Sequence, residues 1–128
     1  MKTNHKLALA VLAGMAVGVA GGVRIQARQM KGGPGYVVAE VDVKDPAMFK
    51  KYADQVPGTL APFNGHYIIR GGNPQTVEGT APQRFVLIAF DSVEKARAWE
   101  DSPAYEAIKP IRHSSATSVV FIAEGVAP

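Results

Sequence analysis

The stretch from Arg84 to His113 limits most what this chain can fold into. Arg84 to Phe90 reads Arg-Phe-Val-Leu-Ile-Ala-Phe, a strand apolar on both faces. Asp91-Ser92 stops it and can cap a helix, and an amphipathic run follows through Trp99. Ser102-Pro103 opens a second helical piece, because serine caps and proline fits the first turn. Arg112 falls near the end of that piece, where a cation suits the helix dipole. A strand followed by a broken helix is half of a small α+β domain, and Tyr36 to Phe63 reads as the other half.

In that earlier half, Val37, Ala39, Val41 and Val43 alternate with Tyr36, Val38, Glu40 and Asp42, the pattern of a strand with one clean apolar face. Asp45-Pro46 opens a helix as cap plus first residue, and Phe49, Tyr52, Ala53, Val56 and Leu60 recur at helical spacing. Pro57-Gly58 is expected to kink or break it. Gly65 to Gly71 reads as a second strand, with His66, Ile68 and Arg70 on one face and Tyr67 and Ile69 on the other. Gly71-Gly72-Asn73-Pro74 is a turn, and a loop carrying Glu78-Gly79 runs to Pro82. Thr117 to Glu124 is the fourth strand. The order is β-α-β-β-α-β, which gives an α+β, ferredoxin-like fold with an antiparallel four-stranded sheet. Two helices can cover one face of such a sheet. The other face is also apolar on strands three and four, so a partner is expected, and a second copy packed face to face makes a homodimer of the dimeric α+β barrel type.

The chain has 128 residues, enough for one domain behind a leader. Lys2 and Lys6 precede seventeen uncharged residues, Leu7 to Val23, and Arg24 ends the run. This is the pattern of a secretory signal, with small-residue exits at Ala20-Gly21-Gly22 and Ile25-Gln26-Ala27. Gly14, Gly18 and Gly22 also give the spacing of a packed membrane helix, so a permanent anchor is the alternative. The expected organisation is residues 1–27 as signal peptide or N-terminal anchor, 28–34 as linker and 35–125 as the folded domain. The domain is expected to be periplasmic or exported, or else anchored to the inner membrane and facing outward, with no other membrane contact. Net charge is +3 over the whole chain, but from Lys31 onward ten Lys plus Arg face eleven Asp plus Glu. The domain is therefore not basic and lacks the footprint of a nucleic-acid binder. There is no cysteine, which excludes disulfides, thiolate metal sites and a thiol nucleophile.

Few residues carry recognisable chemistry. His66 and His113 do not form a metal-binding spacing, and no metal site is expected. The glycine pairs are turns, since neither continues as a phosphate loop. Ser114-Ser115 lacks the glycine-flanked elbow of a serine hydrolase. Glu40 lies mid-strand in what this topology makes a central strand, while Arg70 and Arg84 lie on strands two and three. A charge there is costly unless paired. Two readings stay open: a structural Glu–Arg pair or a solvated edge of the face on the one hand, and an anion-binding or acid–base group inside the barrel on the other.

The ordered set Tyr36, Asp45-Pro46, Tyr52, Gly71-Gly72, Glu78-Gly79, Arg84, Phe90-Asp91-Ser92, Trp99, Ser102-Pro103-Ala104-Tyr105 and Ile111-Arg112 resembles the bacterial domain of unknown function 1330. The resemblance spans about Gly35 to Glu124. It implies a dimeric ferredoxin-like α+β barrel and no established reaction. Fold relatives include heme-dependent peroxidases, antibiotic-biosynthesis monooxygenases and lactone isomerases, an analogy of fold only. By that analogy His113 is a conceivable heme ligand, although a polar residue past a helix end accounts for it, and no cofactor is expected. Tyr105 and Arg112 lie seven residues apart, two helical turns on one face if Pro110 leaves the register intact. With Arg84 or Glu78 they would line a cleft suited to a small carboxylate or a polarised carbonyl. The candidate ligand residues are thus Glu40, Arg70, Glu78, Arg84, Tyr105 and Arg112. The leading expectation is an exported dimer that binds a small, possibly anionic molecule between sheet and helices. The alternatives are a cofactor-free isomerase or monooxygenase and a membrane-tethered interaction domain.

Overall fold

The structure is a computed structural model, which describes residues 32–128. The expected leader lies outside the described residues. Among those described, no helix is long and apolar enough to cross a membrane. The elements run β1 (Gly35–Val43), α1 (Pro46–Leu60), a 3₁₀ turn (Ala61–Phe63), β2 (His66–Gly71), β3 (Arg84–Phe90), α2 (Val93–Glu100), α3 (Pro103–Ser115) and β4 (Ala116–Glu124). The sheet has four strands in the order β2-β3-β1-β4, with every neighbouring pair antiparallel. This is the α+β, ferredoxin-like arrangement. The chain is packed from Gly33, where a Cβ would lie 2.0 Å from the Gly125 carbonyl oxygen, and Gly125 N donates to Pro34 O at 2.8 Å.

All three helices start where side chains satisfy their first free amides. Asp45 Oδ1 accepts from Met48 N at 3.1 Å, Ser92 Oγ from Lys95 N at 3.2 Å, and Ser102 Oγ from Tyr105 N at 3.4 Å. Pro57 and Pro110 do not end their helices. The reason at Pro57 is specific. A proline leaves the carbonyl four residues earlier without its helical donor. That carbonyl belongs to Ala53, and Arg70 Nη2 donates to it at 2.9 Å. Pro110 is exposed, where water can serve the carbonyl it frees.

The core lies between the helices and one sheet face. Val37 and Val41 on β1, Ile88 and Phe90 on β3, Phe49, Tyr52 and Val56 on α1, Trp99 on α2, and Tyr105 and Ile108 on α3 are all buried there. The Trp99 ring centroid is 3.9 Å from that of Tyr105 and 5.6 Å from that of Phe90. Its indole Nε1 donates to Thr59 Oγ1 at 2.9 Å, so the large ring is buried without an unpaired donor.

The expected faces of β2 need correction. A bulge between Tyr67 and Ile69 shifts the register, so Tyr67 pairs with Ile88, Ile69 with Leu87 and Arg70 with Val86. An inserted residue reverses the alternation beyond it. Tyr67 and Arg70 therefore share the helix side, with the Arg70 guanidinium 4.7 Å from the Tyr67 ring centroid. The opposite sheet face carries no helix. On it Val38 stands between Leu87 and Phe121, and Glu40 between Phe85 and Val119. Val119 is 59% exposed and Phe121 45%.

Candidate functional site

A small chamber lies between the helix-side face of the sheet and α1, α2 and α3. Its volume is ≈ 30 Å³, and its walls are mostly apolar, including Val41, Val56, Val86, Ile88 and Val120. Tyr52, Tyr67, Tyr105, Arg112 and Arg84 bring polar groups to it. Beside it a wider cleft of ≈ 470 Å³ is lined by Val43, Pro46, Lys50, Gly71, Asn73 and Gln83. Phe49, Ala53 and Arg84 line both spaces and form the neck between them.

Spacing places these side chains. Phe49, Tyr52 and Val56 recur along the buried side of α1. Tyr105, Ile108 and Arg112 do the same on α3, whose continuity through Pro110 preserves the two-turn register. Arg84 opposes Val41 across β1 and β3, which turns it to the helix side. Ser118 opposes Val41 from β4 and so comes under the helices as well.

The hydroxyls of Tyr52 and Tyr105 are 2.6 Å apart. Burial raises the pKa of each above the ordinary tyrosine value, and the neighbouring phenol raises Tyr52 further. Both stay protonated at neutral pH. One hydroxyl donates to the other, which leaves one O–H proton without an acceptor in the pair. Arg112 is only 5% exposed, and its guanidinium lies 5.8 Å from the Tyr52 ring centroid. Its Nη1 donates to Ser118 Oγ, while its buried Nε has no acceptor. Burial works against the charged guanidinium, but the Tyr105 and Tyr52 phenols outweigh that effect, and its pKa is raised. Arg84 repeats the pattern, with a buried Nε that lacks an acceptor and a guanidinium 5.6 Å from the Phe49 ring centroid. The ion pairs among the described residues are Lys50–Asp54, Lys109–Glu100 and Lys109–Glu106, so neither arginine has a carboxylate partner there. No Asp or Glu lines either space. The chamber is rich in donors and poor in acceptors.

Of the residues expected from sequence to bind a ligand, Arg84, Tyr105 and Arg112 are brought together. Glu40 is not. It is half-buried on the helix-free face between Phe85 and Val119, without an ion pair, so the expected Glu–Arg partnership is absent among the described residues. Glu78 is exposed in the loop before β3 and lines neither space. Arg70 is occupied with the Ala53 carbonyl. His113 is exposed in the last turn of α3 rather than beyond its end, and His66 is exposed beside Asn64, 3.1 Å from its Oδ1. Tyr52 and Ser118 are the additions. Tyr52 reads in the sequence as a core position of α1, but a buried tyrosine needs a partner for its hydroxyl, and Tyr105 holds the equivalent position on the other long helix. Ser118 gave no comparable signal.

Solved structures share this fold at low identity. A protein of unknown function from Rhodopseudomonas palustris matches with a TM-score of 0.63 at 13% identity, over 82% of this chain and 94% of that one. A dimeric ferredoxin-like protein of unknown function from Thermobifida fusca matches with a TM-score of 0.53 at 16% identity, over 74% and 93%. The cofactor-independent oxygenase SnoaB from Streptomyces nogalater matches with a TM-score of 0.52 at 16% identity, over 73% and 94%. No curated protein is significantly similar in sequence. Residues 34–126 match the family model of a domain of unknown function (DUF1330), and the chain belongs to that family.

Proposed function

We propose that this DUF1330 protein is an exported homodimer that binds a small organic anion in the chamber between sheet and helices. One observation carries the binding reading. Arg112 is buried to 5% exposure, and its Nε has no acceptor among the described residues. A buried charge without an ionic partner is costly, and a bound anion would offset that cost. The free phenolic O–H adds a second donor, suited to a carboxylate oxygen. Binding is favoured over catalysis because no His, Asp or Glu lines the chamber and burial holds all three of its phenols, Tyr52, Tyr67 and Tyr105, protonated, so its lining has no group to take a proton near neutral pH.

The apolar helix-free face supports the homodimer, since Val119 and Phe121 expose an aliphatic and an aromatic side chain on adjacent outward positions. Lys2, Lys6 and the uncharged run from Leu7 to Val23 support export.

The test is native mass spectrometry and thermal melting of the purified full chain, titrated with acetate, butyrate, phosphate and sulfate. Wild type should melt higher with at least one of these anions or retain a co-purified one. Arg112→Met should lose that response while Trp99 fluorescence still reports a folded core. A wild-type protein indifferent to every anion and carrying none would overturn the reading. Sedimentation should show a dimer at micromolar concentration that Phe121→Glu dissociates, and a wild-type monomer would remove the dimer from the proposal.

A further inference from the structure

Arg84 has no role in the account so far beyond lining the chamber, yet it has the same unmet valence as Arg112. Among the described residues, the side-chain atoms that are buried without a hydrogen-bond partner are Arg84 Nε, Arg112 Nε and Glu100 Oε2. Glu100 lies off the chamber and is paired through its other oxygen with Lys109 at 2.8 Å. The two atoms that remain are both guanidinium donors, and both residues line one space. They stand at different depths. Arg112 lines only the inner chamber, whereas Arg84 also lines the outer cleft. Lys50, the other cation of the cleft, is already 2.6 Å from Asp54. Gly71 leaves room beside Arg84. A Cβ there would sit 3.1 Å from Nη1, and the φ of +88° disfavours any side chain.

Resting on the anion-binding reading above, we infer that the ligand is a short dicarboxylate, or an equally compact dianion, with one charged group on Arg112 and the other on Arg84. The inner chamber of ≈ 30 Å³ exceeds the roughly 10–15 Å³ that one water needs, which leaves room for one head group but not for two. The second head group then stands at the neck, where the Arg84 fork is free to receive it. The mostly apolar walls of the chamber suit a methylene spacer rather than a polar one and limit the water that would screen the second charge. A ligand with one charge leaves Arg84 unsatisfied.

Titration calorimetry of the full chain with malonate and succinate, against propionate and butyrate, tests this. A dicarboxylate should bind about ten- to hundredfold tighter than the monocarboxylates, the range expected for one added hydrogen-bonded charge pair. Arg84→Met should bring the two classes to near parity, weakening the dicarboxylates far more than butyrate. Arg84→Gln carries the same test should the methionine variant fail to fold. Arg112→Met should lose both classes. Equal binding of succinate and butyrate, with both arginine variants losing them, would mean one carboxylate shared by two guanidiniums. That result overturns this inference and leaves the anion-binding reading standing. A dicarboxylate preference that survives Arg84→Met also overturns it. Absence of any carboxylate binding to wild type defeats the underlying reading instead.

Discussion

Val120 and Phe121 are neighbours on β4, yet Val120 lines the chamber and Phe121 is 45% exposed on the bare face. The two faces of one sheet therefore pose opposite problems. On the helix side, the apolar residues are buried or packed against the core and the unsettled groups are polar: two guanidinium Nε atoms and one phenolic proton. On the bare side, Phe85, Leu87, Val119 and Phe121 share the face with Glu40, and the unsettled quantity is apolar area. The first calls for a ligand and the second for a protein surface. A closed chamber can meet donors only with a small acceptor-rich molecule, whereas a broad apolar sheet is met by another sheet.

The largest expected contrast separates Trp99 from Phe121. Trp99→Ala empties the centre of the aromatic cluster and should cost about 3–5 kcal/mol in urea denaturation. Phe121→Ala, measured on dilute monomer, should stay within about 0.5 kcal/mol and act instead on the dimer equilibrium. Equal losses would mean that the bare face belongs to the core of the monomer.

Alkaline pH probes the covered face next. Burial raises the pKa of Tyr52 and Tyr105 in the folded protein above that of the unfolded chain. The folded state then holds protons that the unfolded state loses above about pH 10, so stability is full below that pH and falls as pH rises further. Each phenol should contribute a slope of up to about 1.4 kcal/mol per pH unit, followed by fluorescence-monitored denaturation. Tyr52→Phe should reduce the slope. A flat profile above pH 10 would show that the phenols are open to water.

Arg112→Met gives the smallest effect and an unusual sign. Removing one partner of a buried ion pair costs about 3–5 kcal/mol, but removing a buried charge with no ionic partner can be neutral or stabilising. Without ligand, the variant should melt at the same temperature as wild type or reflect a gain of up to about 2 kcal/mol. A loss above 3 kcal/mol would show that Arg112 has an acidic partner in the folded protein.

Much of this was legible in the chain. Asp45-Pro46, Ser92 and Ser102-Pro103 mark helix starts through local capping chemistry, which acts within a few residues and so reads directly. The order of elements and the excess of apolar positions on strands three and four follow from periodicity. The two-turn spacing of Tyr105 and Arg112 also held, because both lie on one uninterrupted helix. Pro57 misled because the proline rule is local, while the donor that serves the Ala53 carbonyl comes from Arg70 on β2. The faces of β2 misled because a bulge leaves little trace in a six-residue strand.

The site divides along the same line. Sequence narrowed the candidates to six residues, of which Arg84, Tyr105 and Arg112 come together, and it passed over Tyr52 and Ser118. It did not determine which donors lack partners. That depends on what stands across the sheet from each one: Ser118 under Arg112, Tyr52 against Tyr105, Gly71 beside Arg84, and Glu40 turned to the opposite face. Pairing between residues on different elements is set by strand order and register, and register is fixed only when the whole sheet packs against its helices.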